Sequence, residues 1–216
     1  MLKKDTLSFL EALQKNNNRE WFQANKTLYD RAHRDVEELV QQLIHSIAQF
    51  DPDNGLPDSK KCIFRIYRDV RFSTDKSPYK TNFGAIIGYH KSGYYLHISP
   101  DECFLACGYY MLTPDQLKKL RKGIYDYYDE FCQIINDPSF QTEIGDLQRD
   151  EDALQRVPND FDKSHPAAEY MKLKRFYVMK PIAEKQLFSD VFVEYASDIF
   201  RIMLPLKHFL SELLKQ

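Results

Sequence analysis

The chain has 216 residues, a formal net charge of −2, 43% hydrophobic residues and 14% aromatic residues. This composition excludes an intrinsically disordered chain and argues against a general nucleic-acid binder, whose domains are usually strongly basic. No apolar run approaches the roughly 20 residues that cross a bilayer, and the N-terminus lacks the apolar core of a signal peptide. We therefore expect a cytoplasmic protein that forms one domain over residues 1–216.

The N-terminal part of the chain is predicted to be helical. Three leucines repeat at helical spacing within residues 5–14, and the asparagines at 16–18 end this first helix. The apolar pattern becomes helical again from Arg19, with Asn25 as a candidate cap. Residues 51–59 are rich in Pro, Gly and Asp, which is typical of a loop.

The middle of the chain is predicted to hold the β-sheet. Its β-branched and aromatic runs, bounded by turn residues, predict strands at about residues 62–67, 82–89, 94–99, 102–111 and 174–181. The link 90–93 contains a glycine and has the length of a hairpin turn. The two strands that flank this link are therefore expected to be antiparallel neighbours.

The C-terminal part is predicted to return to helices. Residues 113–116 (TPDQ) predict a helix start, because Thr and Gln complete a capping box and Pro fits the first position. The acidic segment 146–162 is expected to be mostly loop. Ser189 is expected to cap a helix that runs to Met203, and Pro205 to open another. The predicted fold is α+β, a central antiparallel sheet of about five strands flanked by N-terminal and C-terminal helices.

Residues 60–80 carry an excess of positive charge. Seven cations and two anions occur there, a local charge of +5 in a chain whose net charge is −2. Summed positive potential of this kind attracts phosphate or carboxylate groups. The sequence therefore predicts an anion site near this stretch.

The alternation within residues 62–72 predicts which side chains are exposed. Successive side chains of a strand point to opposite faces. The apolar row expected to point inward is Cys62, Phe64, Ile66, Val70 and Phe72, and the polar row expected to point outward is Arg65, Tyr67, Asp69 and Arg71. Asp69, between two arginines, is expected to orient them in an ion-pair network.

A neighbouring strand offers Tyr95, His97 and Ser99 at alternate positions, on a face that Arg65 and Tyr67 are expected to share. Histidine exchanges protons near neutral pH, so His97 and Tyr67 are the candidate catalytic residues. Arginine forks bind carboxylate or phosphate. The candidate ligand-binding residues are Arg65, Arg68, Arg71, Lys76, Tyr79, Lys80 and Asn82. The alternative is a solvated sheet face on which such residues form modest ion pairs.

No cofactor or metal is predicted. The chain has no nucleotide-binding glycine loop and no hydrolase nucleophile elbow. Asp160, Asp162 and His165 match no known set of metal ligands, and a capped helix start at His165 is favoured instead. The cysteines show no metal-binding spacing and are expected to be free thiols; they are Cys62, Cys103, Cys107 and Cys132.

Four motifs resemble one known family. They are RDVRFSTDKSPYKTNFG at 68–84, NNNREWFQANKTLYDRA at 16–32, YYLHISP at 94–100 and VPNDFDKSHPAAEYMKLKRF at 157–176. Together they are similar to the pattern of the DUF2461 family (domain of unknown function 2461) over nearly the whole chain. One departure is Asp101–Phe104, where the family pattern has a glycine-rich stretch. Because the family is uncharacterised, the resemblance implies relatives and no particular activity.

These observations favour one function and leave others open. The preferred hypothesis is an anion-binding pocket, belonging to a metal-independent acid–base enzyme that acts on a small phosphorylated or carboxylated molecule. The main alternative is a module without catalysis that docks an acidic protein or an RNA backbone through residues 60–80. In a third, structural interpretation the cations pair with acids from other segments. Binding to a nucleic-acid backbone falls steeply with salt, whereas a closed pocket for a small ligand is less sensitive.

Overall fold

The computed structural model describes residues 2–88 and 93–215, and it has an α+β fold as predicted. The helices are α1 (Lys4–Lys15), α2 (Arg19–Ala24), α3 (Lys26–Ala48), α4 (Ser59–Cys62), α5 (Pro114–Asp126), α6 (Tyr128–Ile135), α7 (Pro138–Glu143), α8 (Glu184–Leu187) and α9 (Phe192–Lys215). The strands are β1 (Phe83–Ile87), β2 (Gly93–Ile98), β3 (Cys103–Tyr109) and β4 (Phe176–Pro181). Short 3₁₀ segments occur at Pro52–Asn54 and Pro166–Lys172.

The four strands form one antiparallel sheet in the order β1-β2-β3-β4. β1 and β2 pair with Phe83 opposite Ile98 and Ile87 opposite Tyr94. The predicted antiparallel pairing of these two strands is therefore confirmed. Of the link that was predicted to join them, residues 90–92 lie outside the described part of the chain.

The predicted strand at 62–67 is not a regular strand. α4 ends at Cys62, and residues 63–68 then run antiparallel to 78–85. The register of this pairing changes midway: Phe64 N–H donates to Gly84 O (2.8 Å), whereas Lys80 N–H donates to Ile66 O (2.7 Å). Between these two bonds one residue (65) opposes three (81–83), and the two extra residues place a bulge at 81–82 that breaks the ladder.

The predicted inward row fails for its two phenylalanines. Phe64 is 43% exposed and Phe72 is 97% exposed, whereas Cys62 and Ile66 are buried as expected. For Phe72 the physical reason is that strand geometry does not continue that far. The last backbone hydrogen bond of this pairing is donated by Arg68 N–H to Pro78 O (3.0 Å). After Arg68 the chain enters a loop, to which the alternation of strand side chains does not apply.

The chain divides into two compact units. One comprises Met1–Leu105 with Pro181–Asp198, and the other comprises Ala106–Lys180 with Ile199–Gln216. In the first unit α3 packs against α1 and β1 around buried aliphatic side chains. In the second, α5 packs against the Pro166–Lys172 segment. The single domain over residues 1–216 stays a prediction.

The start of α5 follows local sequence chemistry, whereas the continuity of α9 depends on tertiary packing. Thr113 and Gln116 form the predicted capping box before α5. The predicted break at Pro205 is wrong, since α9 continues through it. A proline inside a helix costs about 3 kcal/mol. The buried side chains on both sides of it, Met203 and Leu206 among them, hold the two halves in register through their packing.

The remaining predictions concern thiols, metals and membranes. All four cysteines are free, Cys62 and Cys107 buried and the other two partly buried. His165 caps the Pro166–Lys172 segment by accepting the Ala167 N–H at Nδ1 (3.1 Å), as expected. Within residues 2–88 and 93–215, no cluster of three or more His, Cys, Asp or Glu side chains is arranged to hold a metal ion. No helix in the described residues has the length and apolar character required to cross a bilayer.

Candidate functional site

A cleft of about 400 Å³ lies in the first unit, beside the cationic stretch at residues 60–80. It contains four of the seven predicted ligand-binding residues, which are Arg68, Tyr79, Lys80 and Asn82. The other residues that line it are Gln14, Asn17, Asp75, Ser77 and Thr81. The cationic stretch identified from its charge therefore forms one wall of a polar cleft.

Asn17 and Phe22 hold the Tyr79 segment of the cleft in place. The Asn17 side chain donates Nδ2–H to Tyr79 O (2.9 Å), and its Oδ1 accepts the Tyr79 N–H (3.1 Å). The Tyr79 ring is buried and stacks on Phe22, with centroids 4.0 Å apart. Sequence reasoning missed Asn17, because the asparagines at 16–18 were interpreted only as the end of a helix.

Arg68 crosses the loop and is paired within it. Its guanidinium binds the Asp75 carboxylate and donates to Ser77 O (3.2 Å). Ser77 Oγ–H and N–H donate to Asp75 Oδ1 at 2.6 and 2.9 Å. These Ser77 bonds, followed by the Arg68 guanidinium, lower the pKa of Asp75 to about 2. Asp75 is therefore ionised at neutral pH and neutralises much of the Arg68 charge.

Lys80 differs from Arg68, because it has no carboxylate partner among the residues that the structure describes. Its Nζ lies 5.2 Å from the centre of the Phe64 ring. Burial, and after it the nearby Arg65, lowers the pKa of Lys80. Thr81 and Asn82 form the bulge next to it, and in the described part of the chain neither side chain has a hydrogen-bond partner. Lys80 and the adjacent bulge therefore present to the cleft one cation without a carboxylate partner and two polar side chains without hydrogen-bond partners, as far as the described residues extend.

The other predicted ligand-binding residues lie outside the cleft. Arg65 is exposed. Arg71 Nη2 pairs with Asp69 at 2.7 Å, and Lys76 Nζ donates to Val70 O (2.9 Å). Asp69 was expected to orient two arginines, but it pairs with Arg71 while Arg68 is bound by Asp75.

Tyr67 and His97 lie in different ring clusters. The Tyr67 ring packs against Phe22 and Tyr79, with centroids 6.3 and 5.4 Å apart. Ser99, expected on the same face, is buried and bonded within its own turn, where its Oγ–H donates to Glu102 O (2.8 Å). The face predicted for Tyr67 and His97 together is thus divided by the irregular pairing of residues 63–68.

His97 lies on β2 with Tyr95 on the same face, as the alternation predicted. His97 Nδ1 and Tyr95 Oη share a hydrogen bond of 3.0 Å. The imidazole stacks on Phe104, with centroids 4.6 Å apart and planes inclined by 5°. Burial lowers the pKa of His97 below its usual 6.5, and the Glu102 carboxylate opposes this in part. The ring is therefore held in one orientation and is mostly neutral at pH 7.

Gly84 provides the space for the Tyr95 hydroxyl. A Cβ atom at position 84 would lie 2.5 Å from Tyr95 Oη and 3.2 Å from Phe64 Cδ2. No side chain fits there unless Tyr95 moves. The signal in the sequence was a glycine inside a strand pattern, which often marks a close approach of other atoms to the backbone.

The partly buried histidines predict how stability depends on pH. We expect the free energy of unfolding to fall as the pH is lowered from about 7.5 to about 5, and His97→Gln to reduce this fall. Because the folded pKa of His97 lies below the unfolded value, the unfolded chain binds more protons in this range, and protonation favours unfolding. Burial also lowers the pKa of His33, which contributes with the same sign.

Urea unfolding at the two pH values provides the measurement. The exposed His45 supplies the matched control, since His45→Gln removes an imidazole without changing the packing of the sheet. If His97→Gln and wild type show the same loss of stability, the lowered pKa assigned to the partly buried His97 is wrong.

The comparisons with known proteins agree with the motif pattern. The family model described as conserved hypothetical protein (DUF2461) matches residues 5–209. No curated protein and no solved structure matches the chain. The matched range includes every residue that lines the cleft, together with Tyr95 and His97. Because the match covers nearly the whole chain, the resemblance noted in its motifs is confirmed, and the chain belongs to the DUF2461 family.

Proposed function

We propose that this protein binds a small molecule with a phosphate or carboxylate group in the cleft beside residues 77–82. The proposal rests mainly on Lys80, which is a partly buried cation without a carboxylate partner in the described residues. Burying a charge is unfavourable unless an opposite charge compensates it. A bound anion would supply that charge.

The surroundings of Lys80 support an anion rather than a cation. Arg65 lies close enough to lower the pKa of Lys80, so the local potential is positive. Thr81 supplies a hydroxyl and Asn82 an amide, both of which donate to phosphate or carboxylate oxygens. Asp75 opposes an anion, but its charge is compensated by Arg68 and Ser77. A volume of about 400 Å³ is sufficient for a small metabolite.

A second candidate function is the docking of an acidic protein or an RNA backbone. The loop at 69–76 supports it, because Phe72 is 97% exposed and Arg71 lies over its ring, 5.9 Å from the centroid. An exposed aromatic ring beside cations is typical of macromolecular contacts. In this case the whole loop would contribute, and the cleft would have no special role.

Lys80→Gln should abolish the stabilisation of the protein by pyrophosphate. A ligand at about 100 times its dissociation constant adds about 2.7 kcal/mol, which corresponds to a rise in melting temperature of about 5–10 °C. We expect this rise in wild type with pyrophosphate and a smaller one with inorganic phosphate. The measurement is a thermal-shift titration.

Arg71→Gln is the matched control, because it removes the same charge from the cationic stretch at 60–80 but lies outside the cleft. We expect this variant to retain the stabilisation. An equal loss in both variants, with binding of short oligonucleotides that disappears between about 50 and 200 mM salt, would favour the docking function. No stabilisation of the wild type by either anion would contradict the anion site.

A further inference from the structure

The sheet face next to the cleft carries a tyrosine–histidine pair that anion binding alone does not require. Tyr95 Oη and His97 Nδ1 are 3.0 Å apart, and Phe104 fixes the plane of the imidazole by stacking. Tyr95 and His97 are both partly exposed. A neutral imidazole held against a phenol is the arrangement of a general base that activates a hydroxyl group.

Phe64 connects this pair to the cleft. Lys80 Nζ lies 5.2 Å from the centre of the Phe64 ring, and the Tyr95 ring centroid lies 6.2 Å from the same centre. Gly84 lies between Phe64 and the Tyr95 hydroxyl and contributes no side chain. The Lys80 ammonium and the Tyr95 ring thus both pack around Phe64.

We propose that Tyr95 and His97 are catalytic residues that transfer a proton to and from the anionic ligand of the cleft, so that the protein is an acid–base enzyme. This inference rests on the proposed anion site, because Lys80 holds the ligand across Phe64. Tyr95 is the group that touches the substrate, and His97 is the base behind it.

In the proposed step, a proton passes from the substrate to Tyr95 while the Tyr95 hydroxyl proton passes to His97. The mechanism requires the neutral ring to carry its proton on Nε2, so that Nδ1 accepts the Tyr95 hydroxyl proton. As this O–H bond breaks and an N–H bond forms at His97, the Tyr95 oxygen takes a proton from an acidic X–H group of the substrate. The products are X⁻ and an imidazolium ion, and the reverse transfer returns the proton to the product. Burial, which lowers the pKa of His97, keeps the ring neutral and ready to accept.

The geometry also indicates a substrate class. The molecule carries a phosphate or carboxylate at one end and an acidic C–H or O–H group at the other. A planar centre, such as a carbonyl or an enol, would pack on the exposed ring of Phe64. Lys80 also stabilises the negative charge that develops on X.

Labelling with a small arylsulfonyl fluoride tests the pair without knowledge of the substrate, because this reagent modifies activated phenols. Peptide mapping of the intact protein gives the rate at Tyr95, with the more exposed Tyr110 and Tyr127 as internal references. We expect Tyr95 to react fastest. His97→Gln, which keeps a hydrogen-bonding group but not a base, should slow Tyr95 by about 10²-fold and leave both reference tyrosines unchanged.

One further variant and one protection experiment test the contact of Tyr95 with His97 and with the ligand. Gly84→Ala should slow Tyr95 as well, since the new methyl group displaces its hydroxyl from His97. Pyrophosphate should protect Tyr95 in wild type but not in Lys80→Gln. A cooperative thermal unfolding transition shows that each variant is folded.

The results distinguish failure of the Tyr95–His97 proposal from failure of the anion-site proposal. If Tyr95 reacts no faster than Tyr110, or if His97→Gln leaves its rate unchanged, the catalytic pair is overturned even where pyrophosphate binds. If His97→Gln slows Tyr95 but pyrophosphate neither protects it nor stabilises the protein, the anion site fails, and with it the role of the pair on that ligand. Slowing by His97→Gln together with protection that depends on Lys80 supports both.

Discussion

Phe22→Ala is expected to destabilise the protein by about 3–5 kcal/mol, the range typical of truncating a buried phenylalanine. Phe22 is 1% exposed. Its ring stacks on Tyr79 at 4.0 Å and packs against Tyr29 at 5.2 Å. Truncation leaves a cavity behind the cleft wall that the surrounding helices fill only in part. Denaturant unfolding of both proteins measures the loss.

The same substitution should weaken anion binding, because Tyr79 loses the ring that holds it beside Lys80. Phe72→Ala is the matched control, since Phe72 is 97% exposed, and its truncation should change stability by no more than about 0.5 kcal/mol. A cost as small for Phe22 as for Phe72 would mean that the Phe22–Tyr79 stack does not support the cleft.

Gly108→Ala is expected to destabilise the second unit by roughly 2–6 kcal/mol. Gly108 lies in β3 with φ of 127°, a conformation that side chains rarely adopt. A Cβ atom there would lie 2.3 Å from Phe176 O and 2.7 Å from Tyr177 Cα, both in the backbone of β4. Backbone cannot rotate away as a side chain can, so the two strands must separate. The measurement is the midpoint of chemical unfolding.

Gly145→Ala separates the two components of this cost. Gly145 also has a positive φ, 88°, but nothing lies within 4 Å of its Cβ position. Its substitution should cost only the conformational component, about 1–2 kcal/mol. Similar losses at Gly108 and Gly145 would show that the contact between β3 and β4 is looser than these distances indicate.

The elements that sequence predicts well are those specified by nearest neighbours. The capping box at 113–116 and the cap at His165 depend on groups three residues apart or fewer. β1 and β2 were predicted from alternation and from a short link, and their pairing is confirmed. By contrast, the predicted break at Pro205 considered only the local cost of proline and omitted the packing that offsets it.

The candidate site shows a similar division. The sequence was sufficient to identify the charge excess with Lys80, because charge is a sum over residues. It was also sufficient to identify the Tyr95–His97 face, because alternation is a local pattern. Asn17 and Gly84 were not identified as parts of a site. The roles of both depend on atoms far away in the chain, Tyr79 for Asn17 and Tyr95 for Gly84.

The sequence by itself determined the family, the α+β class and the cationic stretch beside which the cleft lies. Only the tertiary structure decided which cations are paired. Asp75 neutralises Arg68 and Asp69 binds Arg71, whereas Lys80 has no carboxylate partner in the described residues. The physical reason is the bulge at 81–82, a change of register between two extended segments. Register depends on how both segments pack, so no pattern within either one predicts it.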